Sequence, residues 1–305
     1  MIAWRLVLIS RRQFATRVGI GTVAGLLGAP APANAQSVPA KPRLLPGRDP
    51  GGIAVALIGA GVDYTRAEIA GRLARDGEGE AIAWDLLDND PRPFERPPPA
   101  SATPLPQAGT EAALILLAAA PTGRLIPVRV GDPNVQRLAQ ATAFVAQTPA
   151  RIVVLLSGVG PGEAWDRAAR VFEAARNQLY IVPAQVALHG ASADAVPSLS
   201  LGNLVVVTAA DAAGNALAGT VNDPRRIDVA VSVNGSAGDA SRLPDAVVRW
   251  EALAAIGLAA RAVAVLTAEP KLDGAGLKAR LLSVASHGPP GAAPFTRSGV
   301  LLMPQ

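Results

Sequence analysis

The chain has 305 residues, 50% of them apolar and 17% charged, so it can bury a sizeable core and does not have the composition of a disordered chain. Its 28 basic and 24 acidic residues give a formal net charge of +4. The absence of cysteine excludes disulfides, a thiolate nucleophile and a zinc–thiolate site.

The first 35 residues read as an export signal. Ser10-Arg11-Arg12-Gln13-Phe14 matches the twin-arginine motif S-R-R-x-F, an apolar run follows at Val18–Leu27, and Ala33-Asn34-Ala35 offers a small-x-small cleavage site. That run is too short to span a bilayer. The segment holds Arg5, Arg11, Arg12 and Arg17 and no acid, and taking these 4 from 28 leaves 24 basic residues against 24 acidic ones. The remaining chain is formally neutral, so the pI of 10.1 gives no support to a nucleic-acid or lipid partner. The expected location is periplasmic or secreted, and no later apolar run reads as a membrane span.

Gln36–Gly52 is rich in Pro, Gly and Arg and reads as a tether without a core of its own. Ile53–Ile58 is then an unbroken apolar run entering the turn Gly59-Ala60-Gly61, the pattern of a strand buried on both faces of a parallel sheet. Helical spacing follows over Thr65–Arg75. Gly59-Ala60-Gly61 also has the G-x-G of a dinucleotide site, but the third glycine would fall on the bulky Tyr64, and a lone G-x-G is a weak signal.

Asp85-Leu86-Leu87-Asp88-Asn89-Asp90-Pro91 has the carboxylate density of a cation loop, although a solvated turn is the commoner use of such a cluster. The proline-rich Pro91–Pro106 reads as an irregular surface loop. Further on, helices are expected over Glu111–Ala120, Asn134–Gln147 and Ala164–Gln178, and strands over Arg151–Leu156 and Leu179–Val182. Leu138, Ala141, Phe144 and Val145 mark the inner face of the second of these helices. Alternating strands and helices give an α/β domain with a mostly parallel sheet.

Taken in order, these segments resemble the blocks of the subtilases, the subtilisin-like serine proteases. Ile58, Gly61, Val62, Asp63 and Tyr64 fit the first catalytic block V-A-V-I-D-T-G-V-D-Y, with Gly59 at the position of the aspartate. Ala108-Gly109-Thr110 and the helix after it resemble H-G-T-H-V-A-G-I-I-A-A, with Ala108 at the catalytic histidine and Glu111 at the second histidine. Ser157-Gly158-Val159-Gly160 resembles N-M-S-L-G-G, the segment whose backbone pairs with the substrate peptide. The family's A-A-G-N supplies an oxyanion-stabilising asparagine; here the corresponding stretch is Pro183–Ala187, with no asparagine near Ala187.

Leu201–Asn215 and Ile227–Val231 match two further blocks. The last block, G-T-S-M-A-A-P-H-V-A-G, falls on Glu251–Leu266 with Leu253 at the nucleophile and Gly257 at the proline. A register using Ser241 with Pro244 starts the apolar helix too late. The resemblance therefore implies a subtilisin-like three-layer α/β/α domain over 53–285, followed by a tail over 286–305.

A serine protease needs a hydroxyl nucleophile, an imidazole base and a carboxylate to orient it. Gly59, Ala108 and Leu253 supply none of these. Only His189 and His287 carry imidazoles, His189 just past the strand end of the oxyanion block and His287 in Gly/Pro-rich sequence. A carboxylate pair such as Asp63 with Asp85 could serve in principle, but Asp63 matches a subtilase position that helps shape the turn. The expectation is an exported pseudopeptidase that binds a peptide or protein at Ser157, Gly158, Val159 and Gly160 without cutting it, needing no cofactor or metal. The alternative is a serine-type endopeptidase with residual or unconventional activity.

Overall fold

The computed structural model describes residues 41–95, 108–131, 135–157, 163–188, 201–233, 244–286 and 294–302. The export motif, His189, His287 and Gly158, Val159 and Gly160 lie outside them. Lys41–Gln305 forms one unit, separate from Met1–Ala40.

Eight strands make a single sheet: β1 (Ile53–Gly59), β2 (Trp84–Asp85), β3 (Gly123–Arg129), β4 (Ala150–Leu155), β5 (Leu179–Pro183), β6 (Leu204–Ala210), β7 (Val229–Ser232) and β8 (Val300–Leu301). Their spatial order is β2-β3-β1-β4-β5-β6-β7-β8, and every neighbouring pair is parallel. Parallel neighbours require crossover connections, and helices placed there cover both faces. The helices are α1 (Ala67–Ala70), α2 (Ala108–Ala119), α3 (Val135–Ala146), α4 (Glu163–Ala174), α5 (Ala184–Leu188), α6 (Pro244–Ala268) and α7 (Gly274–Leu282).

The alternation of β1 divides the core in two. Val55 and Leu57 pack with residues of α2, α6 and α7, while Ala54, Ala56 and Ile58 pack with residues of α3, α4 and α5. The result is the expected three-layer α/β/α sandwich. Leu138, Ala141 and Val145 of α3 face the second cluster, with Phe144 beside it, as the spacing predicts.

Three expectations change. The helix expected over Thr65–Arg75 stops at Ala70, because Leu73 pairs with Leu125 and the Arg72 side chain binds the carbonyls of Ala120, Pro121 and Gly123. Ile69 and Leu73 stand four apart, as on a helix face, but the second of them is buried by sheet pairing. The segment expected as a tail supplies β8, whose Val300 also exchanges backbone hydrogen bonds with Ser286. A strand of two residues leaves no periodicity to read. Finally, Trp250–Ala268 is by length and hydropathy a helix able to cross a membrane, yet more than half of that stretch is buried inside the fold. Its apolarity serves the core.

Lys41–Gly52 has no helix or strand but is pinned to the domain. The Tyr64 hydroxyl donates to Pro42 O at 2.9 Å, Gly47 N donates to Gly79 O at 2.9 Å, and Asp49 pairs with Arg124 while accepting from Arg75 N. The first turn of α2 lies flat against the turn after β1: a Cβ on Gly109 would stand 2.0 Å from Gly61 O. Gly61 itself has φ +90, a left-handed backbone that glycine adopts without steric cost. Gly109→Ala should force these backbones apart at a cost of about 1–3 kcal/mol, read as a lower urea midpoint at unchanged m-value. An unchanged midpoint would contradict this close approach.

Candidate functional site at the carboxyl edge

In a parallel sheet the strands' carboxyl ends are where loops can gather chemical groups. Gly59 ends β1 and stands opposite Arg129 in the ladder with β3. Ala108 opens α2 beside Gly61, and the helix runs down to Ala120, whose carbonyl accepts from Gly123 N at the start of β3. Toward its far end α6 also reaches the amino edge, where the Thr267 and Thr122 hydroxyls are 2.9 Å apart. Leu253 precedes Thr267 by 14 residues. At about 1.5 Å per residue this lifts it roughly 21 Å, close to the length of a seven-residue strand. Gly59, Ala108 and Leu253 therefore all belong to the carboxyl edge.

No reactive group stands at any of them. A Cβ on Gly59 would meet the Leu156 Cβ at 3.3 Å, so even a small side chain there needs Leu156 to give way. Leu156 and Leu253 are both half-buried and pack against the same core cluster. Ala187 is buried in α5 on the opposite face of the sheet, among the second cluster. Ser157, beyond the end of β4, is half-buried, and its N–H donates to Ile58 O at 3.3 Å. Asp63 and Asp85 do not pair. Asp63 accepts from the Thr65 N–H and hydroxyl, whereas Asp85 is fully buried among cations.

The acidic loop over 85–90 is occupied by the chain itself. Lys41 Nζ lies 2.5 Å from Asp85 Oδ2, 2.8 Å from Asp88 Oδ2 and 3.1 Å from Asp90 Oδ1, and Arg129 Nη1 lies 2.9 Å from Asp85 Oδ2. The ammonium stands where a bound cation would. Among the described residues no acidic or imidazole cluster is arranged to hold a metal. Burial works against the charge on Lys41, but the three carboxylates outweigh it and raise its pKa. Burial likewise opposes ionisation of Asp90, while bonds from Arg92 N and Lys41 hold its pKa down.

Two buried carboxylates at this edge escaped the sequence reading. Glu95, inside the proline-rich loop, caps α2: it accepts from Gly109 N at 3.1 Å, from Thr110 N at 2.8 Å and from the Thr110 hydroxyl at 2.5 Å. A carboxylate suits the positive end of a helix dipole. Thr110 Oγ1 also accepts from Asp63 N at 2.8 Å, tying the turn after β1 to this cap. Glu251, which begins the last block, is fully buried and accepts from Gln185 N at 2.5 Å and Val221 N at 3.1 Å, with the Thr208 hydroxyl 3.3 Å away. Burial raises its pKa against the pull of these donors. The only signal in the sequence was an acid heading a long apolar run.

Lys41→Met should leave the buried Asp85 with Arg129 and the Leu87 and Asp88 N–H groups but without its nearest cation, and destabilise the fold by about 3–5 kcal/mol. The pH dependence has two arms. Asp90, depressed in the fold, contributes stability that is present above its ordinary 3.8 and lost as pH falls through its lower folded value. Lys41, raised, contributes stability present below 10.5 and lost as pH rises through its folded value. The gap between native and Lys41→Met urea midpoints should therefore be widest at neutral pH and narrow at both extremes. A gap independent of pH would remove the clamp from the stability of the fold.

No known family profile matches this chain, and no curated protein matches it in sequence. Solved structures do match. A lanthipeptide protease superposes with a TM-score of 0.59 at 17% identity, over 83% of this chain and 86% of that one. A cold adapted subtilisin-like serine proteinase gives 0.59 at 16% identity, over 86% and 93%. The epidermin leader peptide processing serine protease (EpiP) from Staphylococcus aureus gives 0.56 at 14% identity, over 84% and 75%. Likeness at such identities is a statement about architecture: this chain has the fold of the subtilisin-like serine proteases.

Proposed function

We propose that this protein is a subtilisin-like pseudopeptidase, exported through the twin-arginine pathway, that binds an extended peptide or a partner's loop without cleaving it. What supports this reading is the subtilisin-like fold, taken together with the block resemblance that aligns Gly59, Ala108 and Leu253 with the triad. None of the three has an atom that can attack a carbonyl, take a proton or orient an imidazole. Gln185 N, within the stretch that corresponds to the oxyanion block, and Val221 N are engaged by Glu251. Binding by strand addition needs only backbone groups, so it survives the loss of the triad. Ser157, Gly158, Val159 and Gly160 are the segment assigned to it.

The competing reading is a serine endopeptidase with a rebuilt nucleophile. Purified protein is expected neither to hydrolyse peptide or ester substrates nor to react with a fluorophosphonate probe that labels activated serines. Labelling abolished by one serine-to-alanine substitution would overturn the pseudopeptidase. For export, Arg11→Lys with Arg12→Lys should leave unprocessed precursor in the cytoplasm. Undiminished mature protein in the periplasm would refute the twin-arginine route.

A further inference from the structure

Glu251 sits at the carboxyl edge in a setting that can be checked atom by atom. Its side chain is fully buried and joins α6 to three separate pieces of chain: the start of α5 through Gln185, strand β6 through Thr208, and the loop after β6 through Val221. Among the described residues no cation accompanies it. The charged groups of the flanking turns are committed elsewhere: Asp211 accepts from Ala213 and Asn215, and Asp223 pairs with Arg226. Farther along α6 the charged Arg261 stands three turns away, on the half-exposed side of the helix. Among the described residues, the groups facing the carboxyl are two backbone N–H groups and one hydroxyl.

The hydroxyl decides the protonation. Thr208 Oγ1 lies 3.1 Å from Val221 O and 3.3 Å from Glu251 Oε1, and it has a single proton to give. If Glu251 is ionised, its oxygens still accept from Val221 N and Gln185 N. A Thr208 proton given to Val221 O, however, leaves Thr208 Oγ1 and Glu251 Oε1 facing each other at 3.3 Å as two acceptors with no proton between them, and one given to Glu251 leaves Val221 O without that donor. If Glu251 is neutral, its own O–H donates to Thr208 Oγ1, and the Thr208 O–H donates on to Val221 O. Val221 N still donates to Glu251 Oε1, which keeps a free lone pair, and Gln185 N still donates to Oε2. Every polar atom in the ring then has a partner, and no charge is buried.

We propose that Glu251 is held as a neutral carboxylic acid whose proton closes a ring with Thr208 and Val221, and that its ionisation opens this ring and loosens the edge. The ring is a pH-sensitive latch. When the proton leaves, the Thr208 hydroxyl turns to the new carboxylate, Val221 O loses its donor, and the loop after β6 loses its tie to the strand. Burial, which already raises the pKa of Glu251, acts in the same direction.

The test is a carboxyl-carbon NMR titration of full-length protein labelled only in glutamate. The Glu251 resonance is identified by its loss in Glu251→Gln or, should that variant not fold, in Glu251→Asp. It is expected to remain at the protonated position above the pH at which the other glutamates have ionised, then to move. In a second sample labelled at the valine carbonyls, the Val221 carbonyl resonance should shift across that second step as its Thr208 donor turns away. Glu251 titrating together with the other glutamates, near the ordinary 4.5, would overturn the neutral acid. A late titration with an unmoved Val221 carbonyl resonance would overturn the latch.

Discussion

The parallel ladder of β1 is the constraint on which the remaining structure depends. Its seven residues pair with β3 on one side and β4 on the other, and its two faces are packed under different helices. Every side chain along this enclosed strand is apolar, since a polar one there would need a buried partner. Chemistry is therefore confined to its carboxyl end, at Gly59 and the turn beyond. The ladder itself makes no use of what stands there.

The carboxyl edge is not apolar, but its polar groups face inward. Asp85 is neutralised by Lys41 and Arg129, Glu95 by the amino end of α2 and the Thr110 hydroxyl, and Glu251 by two N–H groups and Thr208. These are three different physical answers to the burial of a carboxyl: a cation, a helix dipole with hydrogen bonds, and a proton. Each also ties together segments distant in the chain. Lys41 joins the strap before β1 to the loop after β2, Glu95 joins the proline-rich loop to α2, and Glu251 joins α6 to β5, β6 and their loops. At this edge the three buried carboxyls hold the domain together.

Long, strongly patterned elements were legible in the sequence because a strand buried on both faces, or a helix with one apolar face, leaves a local trace. β1, α2, α3, β4 and β5 fell within a few residues of their expected limits, and so did the architecture that their alternation implies. That Gly59, Ala108 and Leu253 carry no reactive group is likewise a property of residue type and needs no coordinates. Elements whose limits are set by partners were not. α1 ends where Leu73 pairs with Leu125, and β8 exists only because β7 offers it an edge.

The buried charges divide in the same way. From the sequence, the acids at 85, 88 and 90 are a cluster that either a metal or water could satisfy. Only the tertiary structure brings Lys41, 44 residues before Asp85, into their midst. Glu95 and Glu251 carry no local mark of burial, because the donors that receive them come from chain 14 to 66 residues away. Apolar patterning depends on near neighbours and is written along the chain. The partner of a buried charge is chosen by the folded topology, which alone decides whether that charge is a site, a clamp or a latch.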